Sequence, residues 1–264
     1  MWWILKVLSF FSAILGLSFI FSLLVSLRIT KALPREPSTG KLNIKVDPWL
    51  LTLVTLGTSL AMVQYLDHRP LASLGLHFYS SWWIELALGV VWGSAMLIAM
   101  AILLWIFSGQ NPFVKFSMAK YPTLLGHLRG SLGEELAVRG YPFQVLVGAL
   151  GVYPAILVTS AFFGLLHYQS QGLLGAADTG LVGLLLATAV LKTKALWLAV
   201  GVHFGWNFAE ALFGLEGISS RERYLAEIVV VIISWFLLMA LPIQPHPEME
   251  RLWNGYIVHP KPQQ

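Results

Sequence analysis

Long hydrophobic runs, separated by short polar breaks, recur along the whole chain. A helix needs about 20 mostly apolar residues to cross the hydrocarbon core of a bilayer. The first run is interrupted only by Lys6, and it is too long for a signal-peptide core, so we expect a retained anchor. The pattern predicts about eight spanning helices, over residues 2–27, 48–66, 82–107, 132–150, 152–168, 174–191, 194–214 and 224–241.

These runs predict an all-α, polytopic membrane protein folded as one bundle. Residues 1–120 would form about three spans with their loops, and residues 121–241 a core of about five spans that carries the polar motifs described below. Residues 242–264 are rich in proline and are expected to form an irregular tail. The breaks at 151–154 and 192–194 are so short that the helices on either side should be antiparallel neighbours.

Composition supports the membrane assignment. Hydrophobic residues make up 57% of the chain and charged residues 11%, whereas soluble domains carry about 25% charged residues. The basic residues are scattered between apolar runs, which argues against a nucleic-acid partner and for contact with the lipid bilayer. The chain has no cysteine, which excludes disulfides, thiolate metal sites and a cysteine nucleophile.

The distribution of basic residues predicts the orientation of the chain in a cell membrane. The first loop is the most basic, with Arg28, Lys31, Arg35, Lys41 and Lys45. The third and seventh loops are also basic, with Lys115, Lys120, Arg129, Arg221 and Arg223. Cytoplasmic loops of membrane proteins carry an excess of lysine and arginine, so the odd-numbered loops are expected in the cytoplasm and both termini outside.

An acidic and basic motif interrupts the apolar pattern where the fourth predicted helix begins. Glu135 and Arg139 are spaced i, i+4 and can form an ion pair on one helix face. Glu134 lies about 100° further around the helix, so it escapes that pairing and stays free for proton transfer. The structural alternative is that acids at a helix start complement the helix dipole.

Two further polar groups lie within predicted spans, where ionisable side chains are costly and mark candidate functional sites. His167 ends the fifth helix, four residues after Phe163. His203 and Asn207 share a face of the seventh helix, and Glu210 lies on that face as well. The alternative is that these side chains only form hydrogen bonds between helices.

The predicted topology places the polar groups at similar depth. If the third loop is cytoplasmic, Glu134 and His167 lie near that side, while His203 lies near mid-membrane and Asn207 closer to the cytoplasm. The four side chains are therefore expected to meet in one cavity that opens to the cytoplasm.

A carboxylate, two imidazoles and an amide are suited to activating water. Glu134 would act as general base, His167 would position the water, and His203 with Asn207 would stabilise the oxyanion. A zinc-dependent alternative, a metalloprotease site, would use Glu134, His167 and His203 as ligands with water in the fourth position. The zincin motif H-E-x-x-H and the serine-hydrolase motif G-x-S-x-G are both absent, and metal-bound and metal-free water both stay open.

The motifs resemble those of a known family. E-E-x-x-x-R (Glu134–Arg139), F-x-x-x-H (Phe163–His167) and H-x-x-x-N (His203–Asn207) are similar, in order, to those of the CAAX prenyl endopeptidase and bacteriocin-processing (CPBP) family. The segment around 69–76 also resembles a loop found upstream in the family. The resemblance implies an integral-membrane endopeptidase acting on a peptide or membrane-associated protein. It assigns water activation to Glu134 and His167. It assigns stabilisation of the oxyanion to His203 and Asn207.

Two other functions fit the same residues. In a bacteriocin-immunity protein or an interaction scaffold, the polar groups would only tie helices together. In a small transporter, Glu134 or Glu210 would relay protons, but transporters often have related halves and the first half of this chain lacks the polar clusters.

Overall fold

The computed structural model describes residues 2–30, 46–109, 111, 116–117, 123–215 and 220–258. Four of the loop cations predicted to be cytoplasmic, at positions 31, 35, 41 and 45, lie outside the described residues, as do those at 115 and 120. Every regular element in the described ranges is helical. The α-helices are α1 (Trp2–Thr30), α2 (Pro48–Ala61), α3 (Trp82–Ser108), α4 (Leu124–Glu135), α5 (Tyr141–Leu150), α6 (Val152–Thr193), α7 (Trp197–Phe213), α8 (Arg221–Ala240) and α9 (Pro247–Trp253).

The prediction of an all-α polytopic membrane bundle is confirmed. Among the described residues, five stretches are long and apolar enough to cross a membrane: Trp2–Arg28, Pro48–Leu66, Trp82–Ser108, Val152–Thr193 and Arg221–Ala240. Their outward faces carry large apolar side chains such as Leu15 and Phe236, which are exposed in the isolated protein. Apolar surfaces of this extent are typical of contact with a membrane. The remaining helices are shorter and pack inside or beside these five.

Helix α6 is a hairpin of two helical halves. Gly172 has φ 69° and ψ −171°, a conformation that only glycine adopts readily, and it interrupts the helix. The halves then fold back on each other so closely that a methyl group at Gly164 would overlap the carbonyl oxygen of Ala176. The two helices predicted at 152–168 and 174–191 are therefore present as the two halves of α6, joined at Gly172.

The predicted helix over 132–150 is wrong in its start and in its continuity. α4 begins at Leu124, a π-helical turn covers Leu136–Gly140, and α5 follows. Pro142 lies in the first turn of α5 and has no N–H to donate to the preceding turn, which accounts for the break. Glu134 therefore lies near the end of α4 rather than at a helix start, so the helix-dipole explanation of the acids does not apply.

Helix α7 is the central element of the bundle, and its first nine residues are all buried. It packs against α3, α4 and α6. α3 and α7 meet through paired small residues, Gly89 and Gly93 on one helix and Gly201 and Gly205 on the other. Each G-x-x-x-G pair removes side chains from the crossing, which lets the two backbones touch.

The prolines after α8 predict an irregular tail, but part of this segment is helical. α9 begins at Pro247, and the His246 side chain accepts a hydrogen bond from the Glu248 backbone N–H. Proline is favoured in the first helical turn because its missing N–H would have no partner there. A π-helical turn, Asn254–Val258, completes this segment.

Candidate active site

A buried ion pair forms the base of the polar site. Glu135 Oε1 accepts a hydrogen bond of 3.1 Å from Arg139, and both side chains are fully buried, which confirms the predicted i, i+4 pair. The arginine also donates to the Gly183 carbonyl oxygen at 3.2 Å, and its guanidinium lies 4.1 Å from the centre of the Phe163 ring. The pair thus joins the end of α4 to both halves of α6.

Glu135 also orients His203. The distance between His203 Nδ1 and Glu135 Oε1 is 2.9 Å, and because a carboxylate accepts, Nδ1 carries the hydrogen. The opposite ring nitrogen, Nε2, then points to Glu134, whose Oε2 lies 3.8 Å away. Sequence reasoning assigned Glu135 only to the arginine, so this link between α4 and α7 was missed.

His167 faces Glu134 from α6 and is also held by its own helix. Its Nδ1 lies 2.9 Å from the Phe163 carbonyl oxygen, and a carbonyl can only accept, so Nδ1 donates. In the neutral ring Nε2 is therefore an acceptor, and it lies 3.9 Å from Glu134 Oε2. Two acceptors at this distance are bridged by a donor such as water rather than by a direct hydrogen bond.

Glu134 is the accessible member of the group, with 46% of its side chain exposed. One of its carboxylate oxygens faces both imidazoles, while its neighbour Glu135 is fully buried. The structure thus brings Glu134, His167 and His203 together. Two adjacent glutamates on one helix have different environments, one structural and one available to solvent.

Asn207 lies one helical turn after His203, and both side chains line a cavity of about 360 Å³. His167 lines the same cavity. Among the described residues, the Asn207 amide has no hydrogen-bond partner, so its N–H groups are available to a ligand. Phe163 packs edge-to-face against both imidazole rings, at 4.9 Å from His167 and 5.9 Å from His203, and so fixes their spacing.

Glu210 lines the same cavity but has a partner that the sequence did not reveal. It accepts a hydrogen bond from Arg223 of α8, a residue assigned from sequence to the seventh loop. Two more acids line this end of the cavity, Asp178 and Glu227. The available signal was their position within apolar predicted helices, where acids are costly.

The donor atoms do not form a metal site as they stand. In the part of the chain that the structure describes, no group of three His, Asp or Glu side chains is arranged to hold a metal ion. Tetrahedral zinc with ligands at about 2.1 Å requires donors about 3.4 Å apart, which is shorter than the separations of Glu134 from His167 and His203.

The fold and site define an all-α polytopic membrane protein with a half-buried carboxylate–imidazole site. Residues 117–209, about a third of the chain, match the family model described as Rce1-like, type II CAAX prenyl endopeptidase Rce1-like. Over this segment the chain is similar to that endopeptidase family. The matched segment contains Glu134, His167, His203 and Asn207. Comparisons with curated proteins and with solved structures gave no match.

Proposed function

We propose that this protein is a membrane endopeptidase that hydrolyses a peptide bond by direct attack of water. The observation that carries the proposal is the position of one Glu134 oxygen, 3.8 Å and 3.9 Å from the Nε2 atoms of two histidines on different helices. These separations leave room for a water molecule between the Glu134 carboxylate and an imidazole nitrogen. The family match over the same residues supports peptide-bond hydrolysis.

Glu134 acts as the general base. It removes a proton from a water that sits between its carboxylate and His167 Nε2, and this water attacks the peptide carbonyl carbon. The resulting tetrahedral intermediate carries a negative charge on oxygen. Glu134 then returns the proton to the leaving amine, which breaks the C–N bond. General acid–base catalysis of this kind contributes about 10²–10⁴-fold to a rate.

His203 and Asn207 stabilise the oxyanion from α7. Because His203 Nδ1 donates to Glu135, Nε2 can donate to the substrate oxygen when the ring is an imidazolium, and two adjacent carboxylates favour that form. The Asn207 amide supplies a second N–H. Each such donor is worth about 3 kcal/mol in comparable sites. The Glu135–Arg139 pair keeps His203 in this orientation.

The substrate is a peptide or a membrane-associated protein segment that reaches the cavity from the bilayer or its surface. The positive-inside pattern of the sequence supports a cavity mouth on the cytoplasmic side of a cell membrane. The five apolar helices supply the lipid contacts.

The experiment compares wild type with Glu134→Gln and Glu222→Gln in lipid nanodiscs. Glu222 is an exposed acid in the first turn of α8, so its substitution removes the same charge away from the site. Peptide cleavage followed by mass spectrometry should be lost in Glu134→Gln and kept in Glu222→Gln. Full cleavage by Glu134→Gln would refute the role of the base, and absence of cleavage by wild type would favour a scaffold or immunity function.

A further inference from the structure

The catalytic cavity extends to a second ionic cluster on its far side. Asp178 on α6, Glu210 on α7, and Arg223 and Glu227 on α8 all line this cavity together with His203 and Asn207. We call these four residues the Asp178 cluster. It lies on three helices, and of its members only Asp178 lies within the segment that matches the family model.

The charges of the Asp178 cluster do not balance. Arg223 forms a hydrogen bond to Glu210 and another of 2.8 Å to the Leu215 carbonyl oxygen, and its Nε lies 3.6 Å from Glu227 Oε2. One guanidinium therefore faces three carboxyl groups, and even with one proton shared between Asp178 and Glu227 the cluster keeps one negative charge without a cation. Buried charges are costly unless they are paired, so this end of the cavity is suited to an additional cation.

Asp178 shows where such a cation would bind. The residue is only 2% exposed, and its Oδ1 atom receives no hydrogen bond from any described group. The Asp178 and Glu227 carboxyl groups contact each other and can share one hydrogen, and Arg223 is the neighbouring cation. Buried carboxylate oxygens nearly always have a donor, and an unpaired one that lines a cavity is a binding group for a ligand.

The Asp178 cluster lies at a distance from the reacting groups that a nearby side chain of a bound peptide can reach. Glu210 follows His203 by seven residues, which is about 10 Å along an α-helix. An extended peptide covers that distance in about three residues. A peptide whose scissile carbonyl lies at His203 and Asn207 therefore has residues within three positions of that bond beside the Asp178 cluster.

We propose that the Asp178 cluster binds a lysine or arginine side chain of the substrate, within three residues of the cleaved bond. This proposal rests on the proposed hydrolysis, and it names the kind of substrate side chain that the site would select. The ammonium or guanidinium group donates to Asp178 Oδ1 and is neutralised by Asp178 and Glu227, while Arg223 holds Glu210 in place.

The test uses the full-length protein in nanodiscs and pools of internally quenched decapeptides. Each pool has either lysine or norleucine fixed at one position, and norleucine keeps the aliphatic chain without the charge. At a position near the cleaved bond, the lysine pool should be cleaved at least about tenfold faster. The lysine-to-norleucine ratio should fall towards one in Asp178→Asn and stay at the wild-type value in Glu222→Gln.

Equal rates for both pools at every position, or an unchanged ratio in Asp178→Asn, would overturn the proposal. If that variant does not fold, Glu227→Gln takes its place. Wild type also gives an answer without any variant: butylammonium should raise the KM for the lysine pool at concentrations where butanol does not, and equal effects would argue against the site.

Failure of the proposed hydrolysis can be distinguished from failure of the proposed cation site. If wild type cleaves neither pool, retention of the peptides on immobilised wild-type protein is measured instead. Stronger retention of the lysine pool supports the cation site while the hydrolysis proposal fails. Equal retention of the two pools overturns the site itself.

Discussion

Glu135 and His203 lie on different helices, 68 positions apart in the chain, and the distance between Oε1 and Nδ1 is 2.9 Å. The same carboxylate oxygen accepts a hydrogen bond from Arg139. One buried acid therefore supports the fold, through the arginine, and the orientation of the imidazole that faces the cavity. The two functions can be separated by substitution.

The first prediction concerns this separation. Glu135→Ala leaves the Arg139 guanidinium buried without a carboxylate, which should lower the free energy of unfolding by about 3–5 kcal/mol. The double variant Glu135→Leu/Arg139→Met removes both charges and should recover most of that loss, while peptide cleavage stays absent because His203 Nδ1 has no partner. Thermal unfolding and cleavage assays measure the two effects. This account would be contradicted if the double variant lost as much free energy of unfolding as Glu135→Leu and Arg139→Met lose together.

Asn207→Ala should mainly lower kcat. The amide makes no hydrogen bond to the described protein and lines the cavity, so its removal should leave the fold intact. Loss of one oxyanion donor costs about 10²–10³ in kcat. Steady-state kinetics on a cleaved peptide would show the effect, with KM within about threefold of wild type. A rise in KM alone would instead place Asn207 in ground-state binding.

Hydroxylamine should not intercept the reaction. An acyl-enzyme intermediate would be trapped as a hydroxamate, whereas direct attack of water forms no such intermediate. The chain has no cysteine, and the site described above offers a carboxylate base rather than a nucleophilic side chain. Mass spectrometry of the products should therefore show free carboxylates at every hydroxylamine concentration. Detection of a hydroxamate would require a covalent mechanism.

The glycine crossing of α3 and α7 should be sensitive to one methyl group. A Cβ at Gly93 would overlap the Val202 carbonyl oxygen, so Gly93→Ala must push α7 away. We expect a loss of about 1–3 kcal/mol in stability, and a larger relative loss of activity because His203 is the next residue. Gly57→Ala is the matched control, since nothing lies within 4 Å of its Cβ position. A stable and fully active Gly93→Ala would contradict this packing.

The spans were predictable because lipid imposes a simple pattern on sequence. The helices predicted at 2–27, 82–107, 194–214 and 224–241 agree with α1, α3, α7 and α8 to within about three residues at each end. The meeting of Glu134, His167 and His203 followed from placing three motifs at similar depth. Periodicity and loop charge carry this information without reference to specific contacts.

Other features depend on tertiary structure, which a single sequence does not show. The early start of α4 was hidden because residues near 126–130 are too polar to resemble a span, although they are helical. The glycine pairs on α3 and α7 are visible as motifs, yet nothing in the sequence says that they contact each other. Arg223 resembled a loop cation, because its pairing with Glu210 of α7 exists only in the folded bundle.

The contact between α3 and α7 also limits how this protein can be divided. The segment that matches the family model begins after α3 and contains most of α7. A recombinant fragment restricted to that segment would expose the glycine face of the helix that carries both proposed oxyanion donors. Lipid tails or a helix from another molecule would then contact α7 in place of α3. Measurements on the isolated segment would therefore not describe the site of the full chain.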